Sequence, residues 1–208
     1  MKPEIVTDPN YWRFMLRKVH HPMAFQNGLK KLNVGSGWCA YDGFVNVDIA
    51  DIPGVEQRDL FQFPWPWPDN TFDYILASEF LEHVPNDKIM GVIENLGRVL
   101  KVGGVLEVMC PHPATFMVLL QIPGHHRLVG EYTFEVFSKE YHTNSGEHND
   151  IKRKFTLEVT KKIVMRGFRL GPFCDYHVRK YLGLEFGGRK AITLYVVKGE
   201  PDGKAVVL

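Results

Sequence analysis

The sequence predicts an α/β fold built around a parallel sheet. Three observations carry that prediction. Short apolar runs of strand length recur at about 30–34, 44–48, 72–77 and 105–110. One long amphipathic stretch, from about Asn86 to Leu100, separates the last two. Strands that alternate with a helix imply parallel pairing, because the helix carries the chain back to the starting edge.

The elements follow in order. Residues 8–28 read as a leading helix, with Asp8-Pro9 as N-cap and N1 and Gly28 as the stop. Strand one spans about 30–34 and strand two about 44–48, with a short third strand near Val55–Arg58 and a fourth over Phe72–Ala77. Pro85-Asn86 opens the helix, whose buried stripe is Ile89, Ile93, Leu96, Val99 and Leu100. Gly103-Gly104 ends it, and Val105–Cys110 is strand five. Pro113–Ile122 reads as a short helix. Residues 123–150 have no clear period and are rich in Gly, His, Asn and Glu, so a substrate or lid loop is expected. Residues 155–166 read as a helix with Gly167 at C′. Phe168–Tyr176 and Ala191–Lys198 read as two strands joined by a connection containing Gly183, Gly187 and Gly188.

Composition bounds the class. The 208 residues suit one domain, 1–208, with 1–29 as an N-terminal helical segment. An apolar fraction of 45% and an aromatic fraction of 12% can fill a core. A net charge of +1 gives no strong nucleic-acid footprint. Cys39, Cys110 and Cys174 are widely spaced with no C-x-x-C, so a reduced compartment without a zinc site is expected. The first residues do not read as a signal peptide, and no run approaches 18 uncharged apolar residues. A cytoplasmic protein, monomer or homodimer, with no membrane contact is the expectation.

The most informative stretch is Leu32-Asn33-Val34-Gly35-Ser36-Gly37, followed by Val45-Asn46-Val47-Asp48. Glycines at 35 and 37 let a ligand approach bare backbone. The Asp48 carboxylate can accept two hydrogen bonds from a ribose diol. Gly35 to Ala40 formally fits the dinucleotide pattern G-x-G-x-x-G/A. There, however, the acid falls about twenty residues on, after a long helix whose N-terminus holds a pyrophosphate. Asp48 comes too soon, and Asp42-Gly43 signals a turn inside the interval. A nucleoside cofactor without phosphate fits better, and S-adenosyl-L-methionine is the common one.

The next segment runs from Arg58-Asp59-Leu60 through Pro68-Asp69-Asn70-Thr71-Phe72-Asp73 to Leu81-Glu82-His83-Val84, then Arg98-Val99-Leu100-Lys101-Val102-Gly103-Gly104. This ordered series resembles the small class I S-adenosylmethionine-dependent methyltransferases, in particular the type 11 subgroup. The likeness is densest from about Lys31 to Cys110, and Val102 stands where the family usually has Pro. It implies a Rossmann-like sheet with an antiparallel edge pair formed by the two tail strands. It also implies S-adenosylhomocysteine as product. One departure is visible: the family's helix between strands one and two is shortened here, although a parallel crossover normally takes about a dozen residues.

By this resemblance Asp59 faces the adenine amine, Leu60 packs by the ring, and Ser78 and Glu79 line the methionine part. With Asn33, Gly35, Ser36, Gly37, Asp48 and Ile49 they complete the candidate cofactor set. Methyl transfer mainly needs alignment of donor and acceptor, so no fixed catalytic motif is expected. His83, His112 and His148 are the candidates for a proton acceptor, each against a structural alternative. His125, His126, His142 and His148, with Glu131, Glu140, Glu147 and Asp150, match no standard zinc spacing, so no metal is expected. Trp65 and Trp67 between prolines either cover the adenine, form a partner surface or pack over the sheet edge. Lys152 to Arg169 is a basic stretch whose default reading is a solvated helix face.

The expected activity is methyl transfer to a small-molecule or sugar-like acceptor. The alternatives are a nucleic-acid methyltransferase and a non-catalytic protein that binds S-adenosylmethionine or a nucleotide.

Overall fold

The computed structural model describes residues 21–111, 124–135, 137–138, 155–166 and 189–199. Seven strands form one sheet: β1 (Lys31–Val34), β2 (Phe44–Asp48), β3 (Glu56–Gln57), β4 (Phe72–Ser78), β5 (Leu100–Pro111), β6 (Thr156–Arg166) and β7 (Arg189–Gly199). Their order across the sheet is β3-β2-β1-β4-β5-β7-β6. Neighbours from β3 to β5 are parallel, whereas β7 runs antiparallel to both β5 and β6.

The middle strands form where the apolar runs are longest. All four residues of β1 are buried, as a central parallel strand covered on both faces requires. The helix α1 (Ile89–Val99) begins later than the sequence implies, because residues 86–88 turn first. Val92, Ile93, Leu96 and Val99 go into the core against Leu32, Ile75, Leu106 and Leu194. The helix also seats an aromatic ring. A Cβ on Gly97 would collide with Phe155, so that position must stay small. Strand β5 starts at Leu100, with a register shift against β4 where the expected glycine break falls.

Residues 155–166 are not the predicted helix. Thr156 to Arg166 is the edge strand β6, so β6 replaces Phe168–Tyr176 as the expected partner of β7. Five of its eleven residues are β-branched, which favours a pleated surface. A register shift between Val159 and Lys161 breaks the alternation along the strand. Residues 8–20 of the predicted leading helix 8–28, the predicted helix at 113–122 and the strand at 168–176 lie outside the described residues. Residues 21–28 hold only a single 3-10 turn, Pro22–Phe25. Within the expected loop, Tyr132–Glu135 forms the short helix α2, and its Phe134 is buried in the core.

The crossover from β1 to β2, residues 35–43, contains no helical turn. Two asparagines hold it instead. Asn33 and Asn46 face each other in register on β1 and β2. The Asn33 amide donates to the Cys39 carbonyl (2.9 Å) and to Asn46 Oδ1 (3.1 Å). Asn46 Oδ1 accepts from the Tyr41 N–H (3.0 Å), and Asn46 Nδ2 donates back to the Tyr41 carbonyl (2.9 Å). These bonds satisfy backbone groups that a crossover helix would have satisfied itself.

The face of the sheet away from α1 carries Tyr74, Leu76, Val105, Tyr195 and Val197. Met23, Ala24, Tyr41 and Phe44 cover it. Glu107 is fully buried there. It accepts from the Tyr74 hydroxyl (2.6 Å) and the His21 N–H (2.9 Å). Burial and the adjacent Glu107 push the Tyr74 phenol far above its usual range. Among the described residues no helix is long and apolar enough to cross a membrane.

Candidate functional site

In this strand order the sequence direction reverses between β1 and β4, and ligands of open α/β sheets bind beyond the carboxyl ends of strands at such a point. A cavity of about 260 Å³ lies there. That is slightly below the roughly 300–1,000 Å³ of small-ligand sites, in keeping with a cleft open on one side. Its walls come from the ends of four strands: Gly35 after β1, Asp48 and Ile49 from β2, Arg58 to Phe61 after β3, and Glu79, Phe80 and His83 after β4.

Gly35 has φ +62°, and a Cβ there would stand 2.5 Å from the Phe80 ring. Glycine therefore serves both the turn and the close approach of that ring. Gly37 has φ +49° with open space before it, and its N–H donates to Asp48 Oδ2 (2.8 Å). The Ala50 N–H donates to Asp48 Oδ1 (2.9 Å). These two bonds hold the carboxylate at the cavity wall while leaving lone pairs on both oxygens. Ser36 is buried, and its N–H donates to the Val47 carbonyl (3.0 Å). Asn33 is committed to the crossover and is not in the cavity lining.

Asp59 lines the cavity and also caps its own turn, accepting from the Phe61 N–H (2.8 Å) and Gln62 Nε2 (3.2 Å). Leu60 and Ile49 supply apolar wall, Leu60 buried and Ile49 exposed. Phe61 stacks on Phe80, with ring centres 6.4 Å apart. Ser78, at the end of β4, is not in the lining, and its hydroxyl points toward the Met109 sulfur at 3.8 Å. Glu79 has φ +52°, rare for a residue with a side chain. Burial first, and then the facing Glu79, push the Glu82 carboxyl up to about 8. Desolvation also raises Glu79, although that residue is exposed overall.

His83 lines the cavity, and its Nδ1 lies 3.1 Å from the Gly124 carbonyl. His112 and His148 lie outside the described residues. Trp65 and Trp67 do not line the cavity. Trp65 is buried, its indole N–H donates to the Leu60 carbonyl (3.0 Å), and Trp67 meets Phe72 edge-on. The proline-rich stretch is thus a wedge between sheet and helix. The sequence reading missed Arg58, Phe61 and Phe80. Of these, Phe80 had a signal, since it directly follows Ser78 and Glu79 at the end of the fourth strand.

A family model described as a methyltransferase domain matches residues 45–108. Two demethylmenaquinone methyltransferases, from Staphylococcus saprophyticus and Staphylococcus aureus, are each 25% identical over 118 residues, or 57% of this chain. The match spans about half the length of these relatives, 48% and 47%. Among solved structures, a SAM-dependent methyltransferase from Archaeoglobus fulgidus superposes with a TM-score of 0.57 at 16% identity, covering 90% of this chain and 93% of that one. The [4+2]-cyclase SpnF superposes with a TM-score of 0.52 at 17% identity, covering 85% and 77%. At such identities these structures show the fold alone, and the second shows that the fold also serves other chemistry. The matched segment, the ordered motifs and this strand order together make the chain similar to the class I S-adenosylmethionine-dependent methyltransferases of the type 11 kind, whose fold it shares.

Proposed function

We propose that the chain transfers a methyl group from S-adenosylmethionine to a small-molecule acceptor, with the donor's adenosine in the cavity at the ends of β1 to β4. One observation carries the reading: Asp48, held by the Gly37 and Ala50 N–H groups, presents its carboxylate beside the open glycine turn. The remaining lone pairs of that carboxylate can accept from the two hydroxyls of a ribose diol. The short crossover leaves no helix N-terminus for a pyrophosphate, which argues against a dinucleotide.

In this reading Asp48 binds the ribose, Asp59 the adenine amine, and Ile49, Leu60, Phe61 and Phe80 the ring faces. Gly35, Ser36 and Gly37 bring backbone close to the methionine part, and Ser78 and Glu79 border it. Asn33 acts through the loop it fastens. The cofactor supplies an activated methyl group and a neutral thioether leaving group. The protein's own work is alignment and exclusion of water, with His83 as the described candidate for taking a proton. The relatives' names make a quinone the first acceptor to test, followed by sugar-like compounds.

A nucleic-acid acceptor finds little support. The basic residues Lys161 and Lys162 lie on the edge strand β6, across the sheet from the cavity, and Lys162 pairs with Glu131 (2.7 Å).

Thermal unfolding with S-adenosylmethionine, S-adenosylhomocysteine, NAD and ATP in parallel tests the cofactor. Ligand at a hundredfold over Kd should stabilise by about 2.7 kcal/mol. Stabilisation by NAD instead of the two adenosyl-sulfur compounds would overturn the assignment. Release of S-adenosylhomocysteine during acceptor screening separates an enzyme from a binding protein.

A further inference from the structure

We propose that Glu82, His83 and His125 form a binding site for a divalent first-row transition cation of the zinc class, at the edge of the cavity. One donor atom from each residue falls within 4.8 Å of the others. Donors around a tetrahedral zinc ion stand about 3.3 Å apart, so small side-chain rotations close the set.

The acidic member is the telling one. Glu82 is 1% exposed, and neither carboxylate oxygen has a hydrogen-bond partner among the described residues. An ionised carboxylate buried without a partner is costly, and a bound cation is one way to offset that cost. His125 Nδ1 is likewise buried without a partner. The His83 and His125 rings meet edge-on, with centres 4.6 Å apart. Two residues with unpartnered polar atoms and a second imidazole thus stand side by side.

His83 has the arrangement expected of a ligand. Its Nδ1 faces the Gly124 carbonyl at 3.1 Å. A proton on Nδ1 leaves the Nε2 lone pair for a metal, and such outer contacts commonly fix the tautomer of metal-bound histidines. The two segments are also fastened together. The His126 N–H donates to the Glu82 carbonyl (2.7 Å), and Arg127 Nη2 donates to the Val84 carbonyl (2.6 Å) and Asn86 Oδ1 (3.0 Å). This presents His125 to Glu82 without depending on a bound ion.

Two imidazoles and one carboxylate select zinc, cobalt, nickel or ferrous iron over magnesium or calcium, which prefer all-oxygen sets. Three protein donors leave a coordination position open. The inference does not rest on methyl transfer, because metal uptake is read directly.

The test uses the full chain, stripped with chelator and desalted. Cobalt is titrated against visible absorption and zinc against heat. The expected result is one ion per chain, with absorption bands of nitrogen- and oxygen-bound cobalt. His125→Ala and Glu82→Gln should each weaken uptake by at least about tenfold. His126→Ala removes an exposed imidazole outside the set and should leave uptake unchanged. Circular dichroism reports folding. If Glu82→Gln does not fold, His125→Ala and His83→Ala decide. No stoichiometric uptake by the wild type, or uptake that survives His125→Ala, overturns the site.

Discussion

Gly35→Ala and Gly37→Ala form a matched pair that isolates one contact. Both glycines have positive φ, +62° and +49°. An L-residue in that region costs about 1–2 kcal/mol. Reduced freedom of the unfolded chain returns about 0.4–1 kcal/mol of this. Gly37→Ala meets nothing within 4 Å, so its net loss is about 1 kcal/mol. Gly35→Ala adds a methyl 2.5 Å from Phe80 Cδ2 and 3.1 Å from Cγ. Overpacking of this kind costs about 1–3 kcal/mol more. For a chain of this size each kcal/mol lowers Tm by about 2–4 °C, so the second variant should melt clearly below the first. The ring lines the cavity and stacks on Phe61, so its displacement should lower affinity for S-adenosylhomocysteine by about tenfold, or 1.4 kcal/mol. Scanning calorimetry and titration calorimetry read the two effects. If the variants match in both Tm and affinity, the Phe80 contact does not shape this site.

Asp48→Asn keeps the shape of the side chain but removes its charge and one of the two acceptors used by Gly37 and Ala50. It should lose about 1.5–3 kcal/mol of S-adenosylhomocysteine binding by titration calorimetry while remaining folded. Asp73 accepts from Lys101 Nζ (2.6 Å) and the Lys30 N–H (2.9 Å). Desolvation alone would raise its carboxyl, but these hydrogen bonds outweigh it and hold the group below its ordinary 3.8. A depressed carboxyl stabilises the fold above its unfolded value, and that contribution is lost as pH falls through the folded one. Urea unfolding should therefore find Asp73→Asn less stable by about 0.5–1.5 kcal/mol at neutral pH, with the gap closing below pH about 3.8. Lys198 is buried and donates to Asn70 Oδ1 and the Leu100 carbonyl, both at 2.7 Å. Lys198→Met strands those acceptors and should lower stability by about 2–4 kcal/mol. An unchanged urea midpoint would rule out that role.

The centre of the sheet was legible because a strand covered on both faces is written as an unbroken apolar run, as in Leu32 to Val34. The glycine turn and Asp48 were legible because both sit next to such runs. Strand β6 was not. The shift between Val159 and Lys161 hides the period of two, and a helical spacing of Leu157, Lys161 and Val164 fits the same letters. Its share of β-branched residues was the overlooked signal. The meeting of His125 with Glu82 left no trace, since the two lie on segments brought together only by the fold. The tryptophans at 65 and 67 allowed three readings, and bonds to Leu60 and Asn95 select packing.

Residues ahead of β1 belong to what covers the sheet. The matched family segment begins at residue 45, yet Met23 and Ala24 help to shield the second sheet face, and His21 donates to buried Glu107. Lys31 ties that strap down through the Ala24 (3.1 Å) and Gln26 (3.2 Å) carbonyls. Cutting the chain just before β1 would strip part of the cover from Tyr74, Leu76 and Tyr195 and remove one donor from Glu107. The stretch matched by the family model is therefore shorter than the set of residues that closes the second face of this sheet.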